Sequence, residues 1–207
     1  MEEGIILEDD CLPNQSFFKF CEEMLERYKD DKRVMHISGD NFQFGMIRGD
    51  GDYYFSKLNH VWGWATWKRA WDCYDFDMKS LDKFLSGDYI KGIFTGRISK
   101  DWINHFKNVK DKKIDTWDYQ WTYSMWSYGG LAILPNKNLV KNLGFNRDAT
   151  HTKESNKVLN SNIAEDLVVS RHPQLVIRDY FADLHTFRML RINIIKRIVN
   201  KIKKYEV

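Results

Sequence analysis

Gly4-Ile5-Ile6-Leu7-Glu8-Asp9-Asp10 opens the chain with a short apolar run that ends in three acids. Such a run predicts a buried strand, here one whose C-terminal end carries carboxylates. Pro13-Asn14 then punctuates the chain. Phe17, Cys21, Met24, Leu25 and Tyr28 recur mostly at three- and four-residue steps, which predicts a helix to about Lys29. Arg33 to Ile37 reads as a second strand, closed by Ser38-Gly39. Strand, helix, strand is the unit of an α/β fold with a parallel sheet. Ligands of such sheets bind outside the carboxyl ends of the strands, which is where Glu8-Asp9-Asp10 falls.

Working outward, residues 40–59 are polar and glycine-bearing and read as a long loop or irregular hairpin. Val61 to Trp67 leads into a helical stretch from Lys68 to Cys73, and residues 78–110 have mixed helical character. Asp118 begins a helix that reaches about Tyr128, where Gly129-Gly130 ends it. Leu131 to Leu134 is a strand closed by Pro135-Asn136. No internal repeat or low-complexity linker interrupts the chain, so one body is expected over 1–183 and a tail over 184–207.

A chain of 207 residues with 43% hydrophobic and 29% charged side chains has globular proportions. The near balance of 32 basic against 29 acidic residues argues against a nucleic-acid binder, which shows a strong basic excess. Cys11, Cys21 and Cys73 are an odd, widely spaced set without a CxxC pair, which fits a reducing compartment and excludes a zinc knuckle. No apolar run approaches the ~20 residues that span a bilayer. Acidic Glu2 and Glu3 stand where a signal peptide would be basic. The expected compartment is the cytoplasm.

Charge is unevenly distributed. Arg188, Arg191, Lys196, Arg197, Lys201, Lys203 and Lys204 fall between Thr186 and Tyr205 with no acid among them. Phe187, Leu190, Ile194, Ile195, Ile198, Ile202 and Tyr205 lie on one face of the helix this stretch would form. A basic amphipathic helix is expected, either docked on the body with a solvated face or in peripheral contact with the anionic inner face of a membrane through 186–205.

Glu8, Asp9 and Asp10 repel one another unless a hard cation such as Mn²⁺ or Mg²⁺ shares their oxygens. The ordinary alternatives are a solvated acidic loop or a helix N-cap. Asp118, between Trp117 and Tyr119, is placed either to cap its helix or to act as a general base among aromatic rings. His151 follows Asp148-Ala149-Thr150 in a polar loop, as a surface residue or a ligand. Trp62-Gly63-Trp64 sets two rings around a glycine, which suits the flat face of a sugar or a place in the core.

Taken together, Gly4 to Cys11 with Pro13 and Phe17-Phe18, His36-Ile37-Ser38-Gly39-Asp40-Asn41-Phe42, Trp62 to Trp67, Trp117 to Trp121, Pro135 to Phe145 and Asp148 to Thr152 resemble GT-A glycosyltransferases. The likeness is to bacterial family-2-type nucleotide-diphospho-sugar transferases, and it covers about residues 3–152 in the family's order. It implies an α/β fold: a partial GT-A mixed sheet flanked by helices, lacking the N-terminal nucleotide-binding strands, plus the C-terminal amphipathic helix. A truncated or split form of such an enzyme is therefore expected.

The resemblance implies roles position by position. Glu8-Asp9-Asp10 matches the DXD-type motif, with Asp10 on Mn²⁺ or Mg²⁺ and with Glu8 and Asp9 toward the donor nucleotide. Asp118 matches the base that deprotonates the acceptor hydroxyl. His151 matches a histidine added to the metal shell. Trp62, Gly63 and Trp64 match the loop that meets acceptor and sugar. The implied activity is inverting transfer from a nucleotide-diphospho-sugar donor to a glycan or glycolipid acceptor in polysaccharide biosynthesis. Two other readings stay open: a non-catalytic glycan-binding or partner protein derived from such an enzyme, and a metal-dependent phosphoesterase using the acid cluster.

Overall fold

The computed structural model describes residues 1–144 and 163–190. In chain order the elements are β1 (Glu3–Ile6), β2 (Cys11–Pro13), α1 (Gln15–Tyr28), β3 (Val34–Ser38), β4 (Tyr53–Ser56) and β5 (Trp64–Trp67). There follow α2 (Lys68–Trp71), α3 (Leu81–Ser86), α4 (Tyr89–Ile93), α5 (Gly96–Lys110), α6 (Asp118–Ser127), β6 (Leu131–Pro135) and β7 (Val140–Asn142). Residues 180–190 are helical. None of the described helices is long and apolar enough to cross a membrane.

The fold is α/β, with a mixed five-stranded sheet in the order β1-β5-β3-β6-β4. Only β3 and β6 pair in parallel; the other pairings in that sheet are antiparallel. The expected parallel β1-α1-β3 unit is thus corrected in one respect. β1 and β3 run the same way, but β5 lies between them, and β1 is a half-buried strand at the edge of the sheet. A four-residue apolar run carries no signal that distinguishes edge from centre. The expected loop over 40–59 also contains a strand, β4, all four residues of which are buried.

Strand alternation divides the core in two. Tyr53, Phe55, Ala65, Trp67, Leu131 and Ile133 face α1, whose Phe17, Phe20, Cys21, Met24, Leu25 and Tyr28 form its buried stripe. Tyr54, Trp64, Ala132 and Leu134 face the opposite layer, built largely from α3 to α6. Asn14 starts α1 as its N-cap, its Oδ1 accepting from the Ser16 amide at 3.0 Å. Fourteen residues with one apolar stripe are enough to cover the sheet face on that side.

His36 is fully buried at the centre of the second layer. The Trp121 indole N–H donates to its Nδ1 at 3.1 Å, so Nε2 holds the ring proton and donates to the His60 carbonyl at 2.9 Å. Its ring stacks on Trp64 at 5.0 Å. Burial lowers the His36 pKa to about 4.

Segment 163–179 runs along the outer side of β4. The Asp52 carboxylate accepts from the amides of Ser170 and Arg171, the Asp179 amide donates to the Phe55 carbonyl, and Arg178 bridges Phe55 in parallel. The open edge of the sheet is covered in this way. Arg178 Nε then donates to the buried Asp183 carboxylate at 2.6 Å, and Ser56 Oγ donates to the same carboxylate. Asp183 and Thr186 are buried, so the helix at 180–190 docks through its first turns.

Two outcomes follow for stability. Asp183→Asn leaves Arg178 without its countercharge in a dry site and is expected to cost ~3 kcal/mol or more, measured by urea unfolding. Because the folded state resists protonation of His36, its contribution to stability is fully present above about pH 6.5 and is lost as the pH falls toward about 4. His36→Gln can accept from Trp121 and donate to His60, so it should lose less stability than the parent over that interval when the two are unfolded in parallel.

Candidate functional site

The turn between β1 and β2 holds Glu8, Asp9 and Asp10, and the Cys11 amide closes it onto the Glu8 carbonyl at 3.1 Å. β2 pairs antiparallel with β7, and the Leu143 amide donates to the Asp10 carbonyl at 2.7 Å, so the turn is braced from both strands. Side-chain ligand atoms of Glu8, Asp10 and Cys11 all lie within 4.8 Å of one another. Asp9 is exposed. A Cβ on Gly144 would collide with Asp10 Oδ2, so the backbone at Gly144 lies directly against that carboxylate.

Burial, reinforced by Asp10, Asp118 and Asp9, holds the Glu8 carboxyl above the usual range. Asp118 therefore belongs to the same electrostatic neighbourhood as the acid turn, more than a hundred residues away in sequence. Burial and the Asp10 carboxylate push the Cys11 thiol up to about 12, and its S–H points at Asp10 Oδ1 at 3.5 Å. The donors of this turn at neutral pH are hard oxygens.

Asp40 is the residue that the pattern of the sequence did not single out as a site. It follows β3, whose carboxyl end lies at the same margin of the sheet as that of β1. Its side chain is 1% exposed, and both carboxylate oxygens are without a hydrogen-bond partner. Burial, with a contribution from Glu8, pushes its pKa well above the ordinary value. A buried carboxyl with neither bond nor counterion is costly. Nothing in the spacing of Ser38-Gly39-Asp40-Asn41 announces this; it is visible only once the strand ends are brought together.

Asp118 is the first residue of α6. Its Oδ1 accepts from the Tyr119 amide at 2.9 Å and from Thr116 Oγ1, which fixes its direction. It opens onto a cleft of about 560 Å³ between α5, α6, the loop at 58–60 and the helix at 180–190. That volume is in the range of small-ligand sites. His105 and Tyr119 stack at 4.9 Å in its wall, and burial lowers the His105 pKa. Asn59, His60 and Trp102 are among the residues that line the same cleft, and Asn59 Nδ2, His60 Nε2 and Trp102 Nε1 are buried without a hydrogen-bond partner.

The tryptophan segment needs correction. Trp64 is 2% exposed and packs on His36, Trp71, Trp117 and Trp121, so its ring belongs to the core and presents no face to a sugar. Gly63 has φ +94°, and a Cβ there would meet Val140 at 2.9 Å and Leu7 at 3.1 Å; the glycine serves close packing. Trp62 is half-buried, edge-on to Phe42 at 5.2 Å. His151 lies outside the described residues.

No protein-family model and no curated protein sequence matches the chain.

The thiol gives a direct test of this electrostatic picture. Cys11 is half-exposed, yet at pH 8 its thiolate fraction should be about a thousandfold below that of an ordinary cysteine. Alkylation followed by mass spectrometry should show slow labelling at Cys11 in the folded protein, faster in Asp10→Asn.

Proposed function

We propose that the chain is a metal-dependent glycosyltransferase, moving a sugar from a nucleotide-diphospho-sugar to a hydroxyl of a glycan or glycolipid with inversion at the anomeric carbon. The observation that carries this reading is that Asp118, which lines a ligand-sized cleft, acts together with burial and Asp10 to raise the Glu8 pKa, with the unpartnered Asp40 carboxyl also under the influence of Glu8. The order of motifs in the sequence supports it from a separate direction.

The residues fit Mn²⁺ or Mg²⁺. Glu8 and Asp10 offer oxygens within 4.8 Å, and the Cys11 thiol stays protonated, so these two carboxyl groups would hold the cation. A hard cation held there would offset the charge that builds on a departing diphosphate. Asp10 would be the direct ligand, with Glu8 and the exposed Asp9 toward the donor nucleotide. His151 would add to the metal shell.

Asp118 supplies the proton acceptor. Thr116 and Tyr119 hold one of its oxygens, which leaves the other to take the proton of an acceptor hydroxyl bound in the cleft. Burial and the acid turn hold the Glu8 carboxyl above its usual range, and Asp118 is one of the neighbouring charges that raise it. Tyr119 and His105, stacked in the cleft wall, present a flat surface of the kind that sugars pack on.

Calorimetric titration with nucleoside diphosphates, with and without Mn²⁺, tests the metal part. Binding should require Mn²⁺ and fall at least tenfold in Asp10→Ala. Asp118→Asn should keep that binding and lose transfer by 10²–10⁴-fold, the range of a general base. Binding that ignores Mn²⁺, or a fully active Asp118→Asn, would falsify the assignment.

A further inference from the structure

The cleft beside Asp118 has two unlike walls. α5 turns a polar face to it, with Arg97, Asp101, Asn104, His105 and Asn108 at helical spacing. The helix at 180–190 contributes Phe187 and Leu190, three residues apart and both half-buried. That second wall is fixed in place: Gln43 Nε2 donates to the Ala182 carbonyl at 3.0 Å and to Thr186 Oγ1 at 2.7 Å, and Asp183 holds Arg178.

The floor asks for hydrogen bonds that the protein does not make itself. Asn59 Oδ1 is satisfied by Thr122 Oγ1 at 2.7 Å, which leaves Nδ2 as a free donor. Trp102 Nε1 is a second donor. Burial lowers the His60 pKa to about 3, so its ring is neutral and Nε2 is available as donor or acceptor according to tautomer. Arg97 is the one arginine or lysine among the described residues that line the cleft, against Asp101 and Asp118. This balance disfavours an anionic ligand.

We infer that the cleft takes an amphiphilic acceptor, an uncharged sugar bonded to an apolar aglycone, with the sugar on Asn59, His60 and Trp102 and the aglycone on Phe187 and Leu190. The inference rests on the glycosyltransferase reading only for the word acceptor; the two-walled site is argued from its own lining. The sequence after Leu190 continues with Arg191, Lys196, Arg197, Lys201, Lys203 and Lys204 and no acid before Glu206. Such a pattern suits contact with an anionic bilayer, where a lipid-linked sugar resides.

The experiment uses the full chain and a panel of methyl and n-octyl glycosides of glucose, galactose, mannose and N-acetylglucosamine, below their micellar concentrations, titrated by calorimetry. At least one octyl glycoside should bind tenfold or more tightly than its methyl counterpart. The Phe187→Ser/Leu190→Ser double variant, checked for an unchanged melting temperature, should lose that advantage while binding the methyl glycoside as before. Asn59→Ala should weaken both ligands alike. Equal affinity for the two series, a retained advantage in the double variant, or no binding across the panel overturns the inference. Mn²⁺-dependent nucleoside diphosphate binding, measured on the same samples, reports on the transferase reading separately. Its loss with the octyl preference intact sinks that reading alone, and the converse result sinks only the amphiphilic site.

Discussion

Two backbones meet at Gly39 and Gly63 with no room for a side chain on either. The Gly39 amide donates to the Gly63 carbonyl at 2.8 Å, and Cβ atoms built on the two glycines would strike Phe17, Val140 or Leu7. This contact ties the end of β3 to the entry of β5, under the first turn of α1 and beside β7. From it follow the position of Asp40, one residue on, and of Trp62, one residue before. The acid turn after β1 borders the same junction, through Leu7 against Gly63. A methyl group at either glycine would displace Phe17 or Val140 in the α1 layer, because close-packed interiors have no slack to absorb it.

Much of this architecture is legible in the sequence, and the reason is periodicity. The stripe from Phe17 to Tyr28 spells α1, and the apolar runs at Arg33 to Ile37 and Leu131 to Leu134 mark the parallel pair β3 and β6. What is not legible depends on partners remote in the chain. Tyr53-Tyr54-Phe55-Ser56 reads as loop because it sits in a glycine-bearing polar stretch, and its pairing with β6 and the strap at 163–179 involves partners more than seventy residues away. Trp64 reads as a sugar wall when taken with Trp62, but strand alternation sends it inward onto His36 and Trp121.

The candidate site divides in the same manner. Glu8, Asp9, Asp10 and Asp118 stand out because acids beside apolar runs and aromatic rings are conspicuous in any sequence. Asp40 and the unpaired donors of Asn59 and Trp102 do not stand out, since an Asp or Asn in a glycine-bearing stretch is ordinary turn chemistry. Their significance is a deficit, a polar atom buried without a bond, and a deficit has no sequence pattern. His60 is hidden for another reason: its backbone carbonyl anchors His36 and Ser38, so its structural service obscures a ring nitrogen left without a partner.

The pairing of β2 with β7 also sets an order of events. Cys11 faces Asn142, the Asn14 amide seeks the Leu139 carbonyl, and Asp10 accepts from Leu143, each across more than 120 residues. The acid turn is synthesised long before its braces, which exist only once residue 143 has left the ribosome. Until then its three carboxylates hang on a strand whose partner β5 is itself some sixty residues downstream. Contacts of such long range are slow to close. The acid turn is therefore braced only once the chain through residue 143 is in place.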